Sequence, residues 1–334
     1  MKIPEVGRTK TDKLNFLICC AVQSPSSHNT QPWLFAIKGD TIEVWADLTR
    51  RLPIGDPDDR ELYASVGASV QNIIEGAKAL SLSTQVELFP DTKNSPTLVA
   101  KIIVKFEDKK NPNVNKALLK SIWERRTNRS PYDPKKLVSS KLVAQASELA
   151  SIAGVKLHVI EQRSKIFEIA EMVKFGLIHY LQNNEFRKEL SGWIRHDWSR
   201  KGDGLPGYSI GMPGITSIMA PLLVQSTAPI NEIANGEKKA VESCPQVAII
   251  TIPKDVPLWW VKTGMAFQSV ALYLHDKGVA TAILTSAIES RDQRKKIQKM
   301  VGAHPSLFFR IGYPTGMGIS VPRREARLVI LSKN

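Results

Sequence analysis

At 334 residues with 43% apolar content, the chain is long enough for two domains or one large one and can bury a sizeable core. Its net charge of +14 comes from scattered basic residues, with Glu107 and Asp108 inside the 105–110 cluster and Asp292 inside the 291–299 cluster; without a zinc-finger, helix-turn-helix or RNA-recognition pattern, this argues against a nucleic-acid partner and for solubility and anionic small molecules. No run approaches the ~20 apolar residues of a membrane span, the opening residues lack a signal peptide's apolar core, and Cys19, Cys20 and Cys244 give neither a disulfide framework nor CxxC spacing, so the expectation is a reduced, cytoplasmic protein with no metal and no membrane partner.

In chain order, Thr11 or Asp12 is placed to cap a helix running through Leu14, Leu17, Ile18 and Val22. The helix delivers Gln23-Ser24-Pro25-Ser26-Ser27-His28-Asn29-Thr30-Gln31-Pro32-Trp33. Pro25 and Pro32 fix φ and push their neighbours out of helical geometry, so this stretch is a rigid polar turn. Ser26, Ser27 and Asn29 offer uncharged donors and acceptors that suit the edge of a neutral heteroaromatic ring. Taken alone they suit side-chain-capped turns as well, and His28 is as readily structural as acid–base. Strands over 34–38 and 41–45 follow around Gly39-Asp40. A proline-punctuated connection, 50–62, then enters a helix over about 60–82, with strands near 85–89 and 97–106 beyond it.

The segment 109–115, two lysines followed by Asn-Pro-Asn, reads as a linker between units 1–112 and 113–334. Near the start of the second unit stands Glu124-Arg125-Arg126-Thr127-Asn128-Arg129 at the end of a short helix. Its arginines are fork-shaped donors for a phosphate monoester, or on charge alone a solvated helix end. A strand over 155–160 and a helical stretch over 164–194 precede the segment 196–236, which is too broken for one helix. It reads as a lid with an apolar helix near 215–223, or as a dimerisation arm. Next come a strand over 247–251, a helix over 264–277, and a strand from 279 ending in the hydroxyls of Thr285 and Ser286. An exposed basic helix over 291–299, a strand over 307–314 and Val321-Pro322-Arg323-Arg324 complete the chain. Gly67-Ala68-Ser69-Val70-Gln71 and Gly264-Met265-Ala266-Phe267-Gln268 are two GxxxQ helices of low mutual identity.

The polar turn resembles the PSSxNxQPW signature of the nitroreductase superfamily of FMN-dependent oxidoreductases. ERRTNR at 124–129 is similar to that family's RRSxR phosphate-binding opening. The 50–62 connection resembles the R-x-LP-x-x-DP-x-x-REL segment of its Acg-like branch. The resemblance implies an α+β fold of mainly antiparallel sheets flanked by helices, with FMN as the cofactor. On this reading the flavin ring lies against Pro25, Ser26, Ser27 and Asn29, with Thr285 and Ser286 at its reactive edge. Its phosphate is held by Arg125 and Arg129, with Thr127 in place of the family's serine, and by Arg323 as the late basic ligand. In the family the arginines precede the turn, and the two motifs meet across a dimer. Here the turn comes first, and the two GxxxQ helices look like one helix repeated, which implies two fused nitroreductase-like halves. They would form an intramolecular pseudo-dimer with one complete flavin site, monomeric or weakly homo-oligomeric. The implied activity passes electrons from NAD(P)H through flavin to a nitroaromatic, quinone or similar small-molecule acceptor. The alternative is an FMN-sequestering protein whose lid prevents turnover. No catalytic residue stands out, and no HExxH, GxSxG, P-loop or GxGxxG pattern offers another chemistry.

Overall fold

The computed structural model describes residues 3–106, 114–226 and 229–331; most of the expected linker lies outside them. Helix α1 (Lys10–Ala21) leads into β1 (Trp33–Lys38) and β2 (Thr41–Ala46). Helix α2 (Arg60–Ala79) follows, and β3 (Ser83–Leu88) and β4 (Leu98–Lys105) complete the first sheet. Beyond α3 (Lys116–Glu124) come α4 (Ser140–Ile152), β5 (Lys156–Ile160), α5 (Arg163–Gln182) and α6 (Asn184–Trp193). The short pair β6 (Ile194–Arg195) and β7 (Leu205–Pro206), then α7 (Thr216–Gln225) and α8 (Ile230–Glu242), occupy the middle of the chain's second part. Strand β8 (Gln246–Ile252), α9 (Pro257–Asp276), β9 (Ala280–Ile283), α10 (Ser286–Glu289), α11 (Arg291–Val301) and β10 (His304–Gly312) finish it.

The sheets are ordered β1-β2-β4-β3 and β5-β8-β10-β9, and every pairing within them is antiparallel. Counted within its own sheet, each order is first, second, fourth, third. In each, one long helix, α2 or α9, lies between the second and third strands. This is the same α+β unit built twice, the duplication that the order of motifs implied. The two long helices pack on each other backbone to backbone. A Cβ on Gly67 would lie 2.0 Å from the carbonyl oxygen of Val261, and one on Gly264 would lie 1.7 Å from that of Ala64. Each glycine sits three residues after the carbonyl that its counterpart touches, the self-complementary contact of a two-fold interface.

Local chemistry sets the element ends, and it moves several of them. Thr9, not Thr11 or Asp12, caps α1. Its hydroxyl accepts from Asp12 N at 3.1 Å while Asp12 accepts from Thr9 N at 3.0 Å, a reciprocal capping box. The expected helix over 164–194 breaks at Asn183, whose side chain accepts from Glu185 N and Phe186 N and so starts α6. Helix α8 runs through Gly236, the end of the expected lid segment; its buried Ala234 and Val241 hold it against the body. The core of the first sheet takes in Leu14, Leu17, Trp33, Phe35, Val66 and Val70, and also Leu119, Ile122 and Trp123 of α3. Residues 329–331 come from the far end of the chain onto the outer edge of β1: Phe35 N donates to Val329 O at 2.8 Å, and Leu331 N donates to Phe35 O at 2.7 Å. No helix among the described residues is long and apolar enough to cross a membrane.

The glycine contact gives the first prediction. Alanine is favoured over glycine inside a helix by ~1 kcal/mol, but here the added methyl meets a carbonyl that is part of another helix and cannot swing away. Gly67→Ala and Gly264→Ala should each lower stability by about 1–3 kcal/mol, read as a drop in the urea midpoint. A rise in midpoint would mean that the two helices do not approach this closely.

Candidate functional site

The turn after α1 holds an unusual backbone. His28, Asn29 and Gln31 have φ of 47°, 55° and 54°, the left-handed region that costs side-chain-bearing residues energy and gathers at functional positions. Hydrogen bonds fix the conformation: Ser26 Oγ accepts from Gln31 N at 2.9 Å, and Ser24 Oγ donates to the Ala68 carbonyl of α2 at 3.0 Å. One wall of a cavity of about 250 Å³ is this turn. The turn contributes Pro25, Ser26, Ser27 and His28; the first turns of α2 contribute Glu61, Ala64 and Ala68; α9 contributes Gly264 and Phe267. Thr127 and Arg129 enter from the chain after α3, held to the second sheet where Asn128 N donates to Thr281 O at 3.0 Å. Leu284, Thr285 and Ser286 close the far side.

The structure thus brings Pro25, Ser26, Ser27, Thr127, Arg129, Thr285 and Ser286 to one cavity at the seam of the two halves. Ser286 Oγ is engaged, donating to Val173 O at 3.1 Å. Asn29 and Arg323 do not line that cavity; they bind each other, with Arg323 Nη1 donating to Asn29 Oδ1 at 2.7 Å. The Asn29 amide nitrogen donates to the carbonyls of Gly204 and Pro322 at 2.9 and 3.0 Å. Arg125 lines a neighbouring cleft of about 570 Å³ together with Arg126, Asn128, His275 and Thr281.

The arginines are the electrostatic anomaly. Arg125 is 2% exposed, and its Nε and Nη1, like Nε of Arg323, are sealed from solvent without a hydrogen-bond partner. Burial and the charges of Arg323 and Arg126 push the Arg125 guanidinium down to about 9, and burial with Arg126 pushes Arg323 down to about 10. Burial also lowers Arg129 and His275, the latter further by Arg125. Like charges buried together without a carboxylate partner are unfavourable unless an anion joins them. Among the described residues, none of the three arginines 125, 126 and 323 makes an ion pair.

Glu61 is a site residue with no assigned role in the sequence, although Arg60-Glu61-Leu62 ends the connection quoted above. Its carboxylate takes a hydrogen bond from Ser27 Oγ, and its other oxygen is sealed without a partner. Burial and the neighbouring Asp56 carboxylate push it up to about 7 against the opposing pull of Ser27, Thr285 and Arg60. Arg60 itself is paired with Asp255 and stacks over Trp260. The expected cover, 196–236, supplies no residue to the cavity wall among the described residues; Glu237, just beyond it on α8, does. Part of the segment is pinned beside the turn. Gly204 N donates to Asn29 O at 3.2 Å, Gln31 Nε2 donates to Gly202 O at 2.6 Å, and Asp203 pairs with Arg50 and Arg195.

The raised Glu61 value predicts a pH dependence of stability. A carboxyl with a higher value folded than unfolded holds its proton better in the native state, so its contribution is full below 4.5 and is lost as pH rises through about 7. His28, lowered to about 4 by burial and Arg129, acts with the opposite sign over part of this window, so the difference between variant and parent is the useful readout. Glu61→Gln should gain stability relative to the parent on going from pH 5 to pH 8, measured by denaturant midpoints at each pH. A constant difference would place Glu61 in contact with water.

No protein-family model matches the chain. It is 24% identical over 332 residues to the Mycobacterium tuberculosis protein named "Putative NAD(P)H nitroreductase Rv3131", covering 94% of this chain and 90% of that one. It is 24% identical over 324 residues to "Putative NAD(P)H nitroreductase acg" of the same organism, covering 95% and 94%. A solved structure of the FMN-dependent nitroreductase NfnB from Mycobacterium smegmatis in complex with NADPH aligns at 14% identity over 66% of this chain and 99% of that one, with a TM-score of 0.42, too distant to carry weight. With its doubled unit and its polar turn, the chain is similar from end to end to mycobacterial proteins that are named NAD(P)H nitroreductases, Acg among them.

Proposed function

We propose that this chain is an FMN-binding oxidoreductase of nitroreductase type, passing electrons from NAD(P)H to a nitroaromatic, quinone or similar electrophilic acceptor. The observation that carries the reading is the set of buried guanidinium nitrogens on Arg125 and Arg323 that have no partner. A phosphate monoester offers several acceptor oxygens and up to two negative charges, which answers both the unmet donors and the repulsion between the arginines. The adjoining cavity suits the ring. Phe267, Leu177 and Leu284 give it apolar walls, and Pro25, Ser26, Ser27, Thr127 and Thr285 give it uncharged polar edges. On this reading Arg125, Arg129 and Arg323 hold the phosphate with Thr127 between them, and the 25–27 turn and the 285–286 turn hold the ring. When bound, FMN supplies the hydride and electron chemistry that no side chain can. The protein would hold the ring in place between the two turns. The names of the mycobacterial relatives, both NAD(P)H nitroreductases, support the donor.

The sequestering alternative draws on one feature, the pinning of 202–204 to the turn through Asn29, Gln31 and Arg50. The enzyme reading is preferred because the pinned segment leaves the cavity wall to other residues. One measurement tests the site that both readings share, and a second separates them. Purified protein should carry one FMN per chain, and Arg125→Ala should weaken its binding roughly ten- to a hundredfold, the loss of one charge-assisted contact worth ~1.5–3 kcal/mol. Anaerobic addition of NADH or NADPH should bleach the bound flavin, and a quinone or nitroaromatic should restore the colour. Tight FMN that neither nucleotide bleaches would favour sequestration, and two FMN per chain would overturn the single site.

A further inference from the structure

Reducing a quinone consumes a hydride and one further proton, and among the titratable groups on the cavity wall (His28, Glu61 and Glu237) Glu61 has a buried carboxyl oxygen without a partner. Glu61 stands in the first turn of α2 with one carboxyl oxygen bound to Ser27 and the other sealed and unpartnered at the cavity wall. Behind it, Asp56 is 3% exposed and accepts from Leu62 N at 2.9 Å, in the same helix turn. Asp56 lines a second cleft, of about 480 Å³, together with Asp58, His179, Arg291 and Arg294. Arg60 lines both this cleft and the first cavity.

We propose that Glu61 is the proton donor of the cavity and that Asp56 reloads it from the second cleft; this rests on the oxidoreductase reading above. In the acceptor half of the reaction the Glu61 O–H bond breaks and an O–H bond forms on the quinone oxygen. The hydride has come from the nicotinamide donor by way of the bound cofactor. The Glu61 carboxylate then takes a proton from Asp56, and Asp56 takes one from water in the second cleft, so the protein ends as it began. Burial raises both Asp56 and Glu61, so both carboxyls can exchange protons near neutrality. The helix N-terminus stabilises the carboxylate that remains after donation. The other charged or titratable groups facing Glu61 are Arg60 beside it, His28 from the turn, Arg129 from the chain after α3, Glu237 from α8 and Tyr180 from α5. Arg60 is already committed to Asp255.

Glu61→Gln keeps the side-chain length and a hydrogen-bond acceptor for Ser27 but carries no acid proton. Stopped-flow reoxidation of dithionite-reduced protein by a quinone should slow about a hundredfold in this variant, losing both the parent's fall in rate as pH rises through neutrality and its solvent isotope effect. Reoxidation by ferricyanide, which takes electrons without protons, should be unaltered. Glu61→Asp should recover part of the quinone rate. Infrared pH titration of the protein as purified should show a protonated carboxyl ionising near neutrality that Glu61→Gln removes. Equal slowing with quinone and ferricyanide would make Glu61 a structural support, and an unchanged quinone rate or an unchanged infrared titration would overturn the proposal. Because dithionite replaces NAD(P)H and the infrared signal needs no flavin, failure of the donor or cofactor reading appears separately.

Discussion

The rest of the molecule depends on two helices that meet without side chains between them. Gly67 and Gly264 each lie against a carbonyl of the opposite helix, so α2 and α9 approach as closely as backbones can. That distance sets how the two sheets face one another. The cavity opens along the same seam, with Ala64 and Ala68 from one helix and Gly264 and Phe267 from the other on its walls. A site assembled this way draws each group from a rigid element, and the small residues that allow the helices to touch also leave room for a planar ligand beside them.

Charge is distributed unevenly around that seam. Arginine nitrogens are buried without partners on one side, while the carboxyls of Glu61 and Asp56 are buried and raised on the other. Neither group neutralises the other. Arg60, which lies nearest the carboxyls in sequence, is instead tied to Asp255. A protein selected only for stability would not keep both sets apart in low dielectric; the separation suits the anion binding and the proton transfer proposed for the site.

The sequence was most legible where local chemistry dictates conformation. Pro25 and Pro32 announce the rigid turn, because that signal acts over a few residues, whereas the two GxxxQ helices alone pass as unrelated core helices and only the reversed order of the family-like motifs implied a doubled fold. Asn29 was less legible. Its amide is consumed by Gly204 and Arg323, partners far away in the chain that no spacing rule reaches. Glu61 stood in a recognisable motif, but its importance comes from closure of the cavity by α5, α8 and the 284–286 turn.

The placement of residues 329–331 along β1 bears on how the protein comes into being. During synthesis the first sheet is complete, from β1 to β4, long before those residues leave the ribosome. Until they arrive, β1 presents an open edge of unpaired backbone amides and carbonyls, the feature through which sheets join one another between molecules. Any form of the first sheet that precedes their arrival has that edge open to wrong partners, and residues 329–331 cover it.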